Sequence, residues 1–248
     1  MILLKTEKEI GLIRESSRIV AEAFEMIGEY VVPGITTAEL DAIVSTFIRA
    51  RGGVPAFKGF MGYPANICVS IDDEVVHGLP GKRRLEARQI VSIDIGVKKG
   101  GYCGDGAMTF PVGPIPPAAK RLLAVTEASL YRGIEAARAG NRLSDLSQAI
   151  QQYVEAEGYS VVRDLVGHGI GRSMHEEPQV PNFGIPRPNP RFKRGMVLAI
   201  EPMVNMGSFE VYTKPDHWTI ATRDASLSAH FEHTVLITDN GPCIMTTL

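Results

Sequence analysis

The chain has 248 residues, 44% of them hydrophobic, and a formal net charge of −2. That is enough apolar material for one large core or two small ones, and it offers no electrostatic case for nucleic acid or an anionic membrane as partner. Three cysteines, Cys68, Cys103 and Cys243, lack CxxC spacing, which argues against a disulfide framework or a zinc finger and suits a reducing compartment.

Met1-Ile-Leu-Leu is followed at once by Lys5, Glu7, Lys8 and Glu9, so no signal-peptide core is expected, and no run of about 18 apolar residues would span a membrane. A soluble, cytoplasmic protein is the expectation. Thr6 to Val31 predicts a long amphipathic helix, with Thr6 and Glu9 as a capping box and Ile10, Ile13, Val20, Phe24 and Ile27 on one face. Thr36 with Glu39 opens a second helix, with Leu40, Ile43, Val44, Phe47 and Ile48 inside and a stop near Gly52-Gly53. The glycine- and aromatic-rich run from Val54 to Pro64 suits a pocket wall. Ile67 to Ile71 predicts a strand, Asp72-Asp73-Glu74 an acidic turn, and Val75-Val76-His77-Gly78-Leu79-Pro80 a strand end facing a cleft. Read alone, His77 is more simply an ordinary loop histidine.

The stretch from Ile90 to Phe110 organises the rest. Polar and β-branched residues alternate up to Asp94, and Lys98-Lys99-Gly100-Gly101 is turn chemistry, so a β-hairpin is predicted. With Lys99-Gly100 at its tip, Val97 pairs with Tyr102 and Asp94 with Asp105. Directly opposed residues have Cβ atoms roughly 4.5–5.5 Å apart, and two such carboxylates repel unless one is protonated or a cation lies between them. The simpler alternative is two solvated surface aspartates. Pro116-Pro117 starts a third helix that ends at Gly140, and a fourth runs from Leu143 to Glu157.

The second half repeats the first. Gly34-x-x-Thr37-Ala-Glu39-Leu40 lies on Gly140-x-x-Leu143-Ser-Asp145-Leu146 at an offset of 106 residues, and the stop glycines Gly52 and Gly158 keep that offset. One residue later, the strand ending in Asp94 falls on Met196-Val-Leu-Ala-Ile-Glu201, and Glu232 supplies the second-half partner of Asp105. The expected fold is α+β: one domain over residues 1–248, with pseudo-repeats at about 1–115 and 116–248, helices outside and a curved antiparallel sheet inside. Chance similarity between amphipathic helices is the competing reading. Flanking glycines leave His168 unshielded. Asp94, Asp105, Glu201 and Glu232 bring four negative charges that two divalent cations balance. With one neutral imidazole, His168, the set favours Mn, Fe(II) or Co over a structural Zn site. Two ions about 3.5–4 Å apart are the geometry of hydrolytic two-metal enzymes.

Together these motifs resemble the type I methionine aminopeptidases of the creatinase-like, pita-bread metallopeptidase family. The resemblance covers essentially the whole chain. It rests on Val76-His77-Gly78-Leu79-Pro80, Asp94, Gly104-Asp105, Gly167-His168-Gly169-Ile170-Gly171-Arg172 with His175-Glu176-Glu177-Pro178, Ile200-Glu201-Pro202-Met203, and Leu227-Ser228-Ala229 leading into Glu232-His233-Thr234. It implies a pita-bread fold and removal of the N-terminal methionine from nascent proteins and peptides, preferentially before a small second residue. Asp94, Asp105, His168, Glu201 and Glu232 are then the ligands of two divalent ions (Co, Mn, Fe(II) or Zn), with Asp105 and Glu232 bridging. A hydroxide shared by the ions attacks the scissile carbonyl, Glu201 shuttles its proton, and His77 and His175 contact the substrate. Cys68, Tyr63, Phe60 and Trp218 surround the methionine side chain, with plain core packing as the competing role for Phe60. The implied partner is a peptide or nascent-chain N-terminus. A ribosome contact near the exit tunnel is a further expectation, and a monomer is the default.

The start of the chain matches bacterial-type members, and the helical insertion of type II enzymes is missing. Three positions depart from the pattern. Gly106 stands where many relatives carry Thr, which predicts the loss of a supporting hydrogen bond. Phe57 replaces a Cys and Met174 a Phe, both lining the substrate pocket, so they alter its shape and not the chemistry. Two alternatives remain: an X-Pro peptidase of the same fold, which usually carries a further N-terminal domain and more histidines, and a peptide-binding module that has lost its metals.

Overall fold

A computed structural model describes residues 1–184 and 188–248. Capping chemistry sets the helices. Helix α1 (Glu7–Gly28) starts on Thr6, whose Oγ1 accepts from the Glu9 N–H while the Glu9 carboxylate accepts from the Thr6 N–H, and α2 (Thr37–Ala50) repeats the device with Thr36 and Glu39. Helix α3 (Pro117–Ala136) opens on proline, and α4 (Leu143–Ala156) on Asp145, which accepts from the Arg142 N–H at 2.7 Å. Helices α1 and α3 stop before Val31 and Gly140. Tight turns through Tyr30 N–H to Ile27 O and Ala137 N–H to Ile134 O, both 2.9 Å, end them first.

The strands in chain order are β1 (Val54–Pro55), β2 (Cys68–Ile71), β3 (Glu74–Val76), β4 (Ile90–Asp94), β5 (Val97–Lys99), β6 (Tyr102–Gly104), β7 (Gly106–Pro111), β8 (Ser160–Val161) and β9 (Gly167–Gly169). After these come β10 (Glu176–Val180), β11 (Val197–Ile200), β12 (Met203–Asn205), β13 (Val211–Thr213), β14 (Ile220–Thr222), β15 (Ser228–His230), β16 (Glu232–Thr238) and β17 (Gly241–Ile244). The main sheet is antiparallel and runs β10-β9-β11-β16-β7-β4-β2, with β17 on β16.

Alternation decides what each side chain meets. Val91 and Ile93 of β4 pack with Val20, Phe24, Leu40 and Ile48 of α1 and α2. Leu198 and Ile200 of β11, with Val235 and Ile237 of β16, pack with Leu122, Leu130, Leu146 and Ile150 of α3 and α4. By the period of two, Ser92, Asp94, Ala199, Glu232 and Thr234 face the other way. The helix residues of these two clusters therefore cover one face, and the acids belong to the opposite one, where Ile10 and Ile13 at the start of α1 join Val197 and Leu236. Ser92 and Thr109 share a hydrogen bond at 2.9 Å beneath the acids.

The first hairpin corrects one expectation. It turns at Gly100-Gly101, not Lys99-Gly100: both glycines have positive φ (59° and 84°), as both central residues of a turn matched to strand twist require. Lys99 pairs with Tyr102, and Asp94 lies across from Ala107. Asp105 is thus the diagonal neighbour of Asp94. Because the displacement is two residues, the face is preserved; a slip of one would send a carboxylate in among the helices. Among the described residues, no helix is long and apolar enough to cross a membrane.

Candidate metal centre and its apolar pocket

Five ionisable side chains meet where the two hairpins join through β16 and β7. Asp94 ends β4, Asp105 sits in the break between β6 and β7, His168 centres β9, Glu201 follows β11 and Glu232 opens β16. His168 Nε2 stands 3.6 Å from Glu201 Oε1 and 3.8 Å from Asp105 Oδ2, and its Nδ1 is held against Gly169 O at 2.9 Å. Asp105, His168 and Glu232 each present a ligating atom within 4.8 Å of the others, as do Glu201, His230 and Glu232. Asp105 and Glu232 are each only 3% exposed.

The supports are local. Backbone presses on both sides of His168, so a Cβ at Gly167 would come 2.4 Å from Ala199 O, and one at Gly169 2.3 Å from Glu177 O. Thr234 Oγ1 donates to Asp105 O at 2.8 Å and accepts from the Asp105 N–H at 3.0 Å. The Gly106 N–H donates to Asp105 Oδ1 at 3.1 Å. A side chain at Gly106 would press on Phe24 and Val20 at 3.2 Å.

Burial dominates the electrostatics. It pushes Asp94 up to about 7, with His230 opposing and Glu201 adding to the rise, and it pushes Glu201 up to about 8. Asp105 and Glu232 rise well above the carboxylate range, first from burial and then from their acidic neighbours. The same burial drives His168 down to about 3, His77 and His230 to about 4, and lowers His175. With His168 neutral, its spacings to the acids are distances between prospective ligands, not ion pairs. The residues fit divalent cations: Asp94 Oδ1 and Glu232 Oε1 are buried acceptors without a hydrogen-bond donor, the carboxylates repel one another, and a neutral imidazole is the form that ligates.

A cavity of about 110 Å³ opens from this cluster, and every expected pocket residue lines it: Phe57, Phe60, Tyr63, Cys68, His77, Met174, His175 and Trp218. Tyr63 donates to Gly78 O at 2.9 Å and meets Trp218 edge-on, with centroids 5.2 Å apart. Phe60 meets His175 edge-on at 5.1 Å, and the His175 ring lies 4.2 Å from that of His168. Cys68 sits directly across from Asp94 in register, its thiol pushed up by burial. Phe57 and Met174 close against Gly96, where a Cβ would come within 2.5 Å and 2.7 Å of them. His77 reaches the cavity from a left-handed φ of 58°, which a non-glycine residue adopts only when its surroundings hold it there. A second, outer groove of about 490 Å³ shares His77, His168, His175 and Glu201 and is rimmed by Asp164, Glu177 and Gln179.

Two residues escape the sequence reading. Met61, 81% exposed with φ of 49°, lies at the pocket mouth. His230 stands beside Glu201 and Glu232. The signal for His230 is its place two residues before Glu232; for Met61, sequence carries none.

The family model described as metallopeptidase family M24 matches residues 11–239. A methionine aminopeptidase of Clostridium perfringens is 54% identical over 248 residues, 100% of both chains, and methionine aminopeptidase 1 of Bacillus subtilis is 53% identical over 99% of each. Among solved structures, the methionine aminopeptidase of Thermotoga maritima superposes with a TM-score of 0.98 at 43% identity, covering 100% of both chains. The prolidase of Pyrococcus furiosus shares the fold at a TM-score of 0.78 and 24% identity, covering 99% of this chain and 65% of that one. The fold is therefore the α+β pita-bread fold, and a buried acid and imidazole cluster is what a peptidase dependent on divalent metal requires. On these grounds the chain belongs to metallopeptidase family M24, similar over its full length to that family's methionine aminopeptidases.

Proposed function

We propose that this metallopeptidase removes the N-terminal methionine from peptides and nascent chains, preferentially before a small second residue. One observation carries the reading. The acid and imidazole cluster opens on one side to an apolar cavity lined by Phe60, Tyr63, Cys68 and Trp218, and on the other to a larger and more polar groove. The first suits an unbranched thioether side chain and the second the rest of a peptide.

Asp94, Asp105, His168, Glu201 and Glu232 would hold two divalent ions; Mn, Fe(II), Co and Zn all suit this oxygen-rich set. When bound, the ions polarise the scissile carbonyl and acidify the attacking water. Glu201 takes a water proton on a carboxylate oxygen and delivers it to the departing amide nitrogen. His175, held by Phe60 and His168, donates to the developing oxyanion, while His77 hydrogen-bonds the scissile amide. Phe57 and Met174 shape the far wall of the side-chain pocket. We read residues 1–248 as one catalytic domain of two pseudo-repeats, 1–115 and 116–248, acting as a cytoplasmic monomer on chain N-termini near the ribosomal exit. The X-Pro alternative is not favoured, since the prolidase likeness is 24% identical and the aminopeptidase likeness 54%.

The test is turnover by metal-free protein given Mn, Fe(II), Co or Zn, on Met-Ala-Ser and on Xaa-Pro dipeptides. At least one ion should restore methionine release from Met-Ala-Ser and leave Xaa-Pro uncut. Cleavage of Xaa-Pro alone would defeat the reading.

A further inference from the structure

His230 has no role in the reading above, yet it stands among the carboxylates. It is 1% exposed, and neither ring nitrogen has a hydrogen-bond partner. Its main chain is locked: Thr109 Oγ1 accepts from the His230 N–H at 2.9 Å and donates to His230 O at 2.8 Å, while β15 pairs it with Met203. The ring therefore faces the site with little freedom to leave it. An imidazole buried without a partner destabilises a fold, so its presence here asks for one. Glu201 offers it, because that carboxylate is bracketed by two imidazoles. Oε1 lies 3.6 Å from His168 Nε2, and Oε2 lies 3.7 Å from His230 Nε2.

We propose that His230 is a positioning residue whose Nε2–H holds Glu201 Oε2, turning Oε1 toward the cation site beside His168. Groups that orient a ligand in this way set metal affinity by about 10–100-fold. The inference rests on Glu201 being a cation ligand.

The experiment compares His230→Leu and His230→Gln, reading Mn(II) affinity of metal-free protein by calorimetry, the visible spectrum of the Co(II) form, and the melting temperature of the metal-free protein. His230→Leu should bind Mn(II) roughly 10–100-fold more weakly and shift the Co(II) spectrum, while a cooperative melting transition of the metal-free variant shows that it still folds. His230→Gln, which keeps a donor, should stay within about threefold of the parent. Unchanged affinity and spectrum in the Leu variant would overturn the proposal. So would a Gln variant as impaired as Leu, since the imidazole itself would then be a cation ligand. His168→Ala separates the two layers: if it keeps full cation uptake, the ligand set fails and this inference with it. If it loses uptake while His230→Leu keeps full affinity, only the His230 role fails.

Discussion

The two hairpins that build the site differ in how they are closed. The first, β4–β5 against β6–β7, turns on two glycines, sets Asp94 across from Ala107 and leaves Asp105 on the diagonal. The second, β11–β12 against β15–β16, pairs Ile200 with His233 and Met203 with His230, a register that carries Glu201 across from Glu232. Its connection is long, carries β13 and β14, and brings Trp218 back over the cavity against Tyr63. Directly opposed positions are closer than diagonal ones. The two hairpins therefore reach a common cluster in different ways, and only the second also supplies a wall of the substrate pocket.

That difference can be broken from either side. Asp105→Asn and Glu232→Gln each remove one charge from a different hairpin, and each should lower kcat/KM for Met-Ala-Ser by roughly 10³-fold or more, with matching loss of bound metal. Unequal metal loss between them would show that one hairpin holds the ions largely alone. A smaller effect is expected from Trp218→Ala, which touches the second hairpin's connection without touching a ligand. It should raise KM roughly tenfold, leave kcat within about twofold and leave metal content unchanged.

Much of this layout is legible in sequence because it obeys local rules. Thr6 with Glu9 and Thr36 with Glu39 announce their helices, and the repeat offset finds Glu201 from Asp94. Alternation then puts every acid on the face away from α2, α3 and α4. What fails is what depends on geometry over a few residues or over long range. Lys99-Gly100 and Gly100-Gly101 are both turn chemistry, and only the second supplies two residues suited to positive φ. His230 is obscured because its burial comes from Thr109, Glu201 and Asp94, all distant in the chain. The left-handed backbone of His77 and Met61 (φ of 58° and 49°) is not announced by residue type as a glycine would announce it.

The acids also set a pH dependence in the metal-free protein. Asp94 and Glu201 titrate near 7 and 8, above their ordinary values of 3.8 and 4.5, so the folded state holds protons that the unfolded chain has released. Stability from these groups is full below about pH 4 and is lost as pH rises through 7 to 8. The buried histidines act in the opposite sense. Their lowered values give stability that is present above the ordinary 6.5 and lost as pH falls toward 4. Above about pH 6.5 the carboxylates alone remain, so the melting temperature of metal-free protein should fall by several degrees from pH 6.5 to 8.5. Saturating Mn(II) should remove the slope, because the ions displace the protons. A metal-free melting temperature that rises over this window would contradict the burial of the cluster.

The smallest effect concerns the glycine turn of the first hairpin. A Cβ at Gly101 would meet nothing within 4 Å, so Gly101→Ala tests the backbone alone, at a φ of 84°. It should cost about 1 kcal/mol, a fall in melting temperature of roughly 2–4 °C for a chain of this size. Metal affinity and kcat/KM should not change. The pairing of β4 with β7 runs from Ile90 and Pro111 to Asp94 and Ala107, and the Ser92–Thr109 hydrogen bond pins it well away from the tip. A loss of metal affinity in this variant would mean that the turn has moved to Lys99-Gly100 and carried the pairing with it. That slip of two residues keeps both aspartates on the site face but sets them directly opposite one another, so the change would appear as altered metal binding before any unfolding.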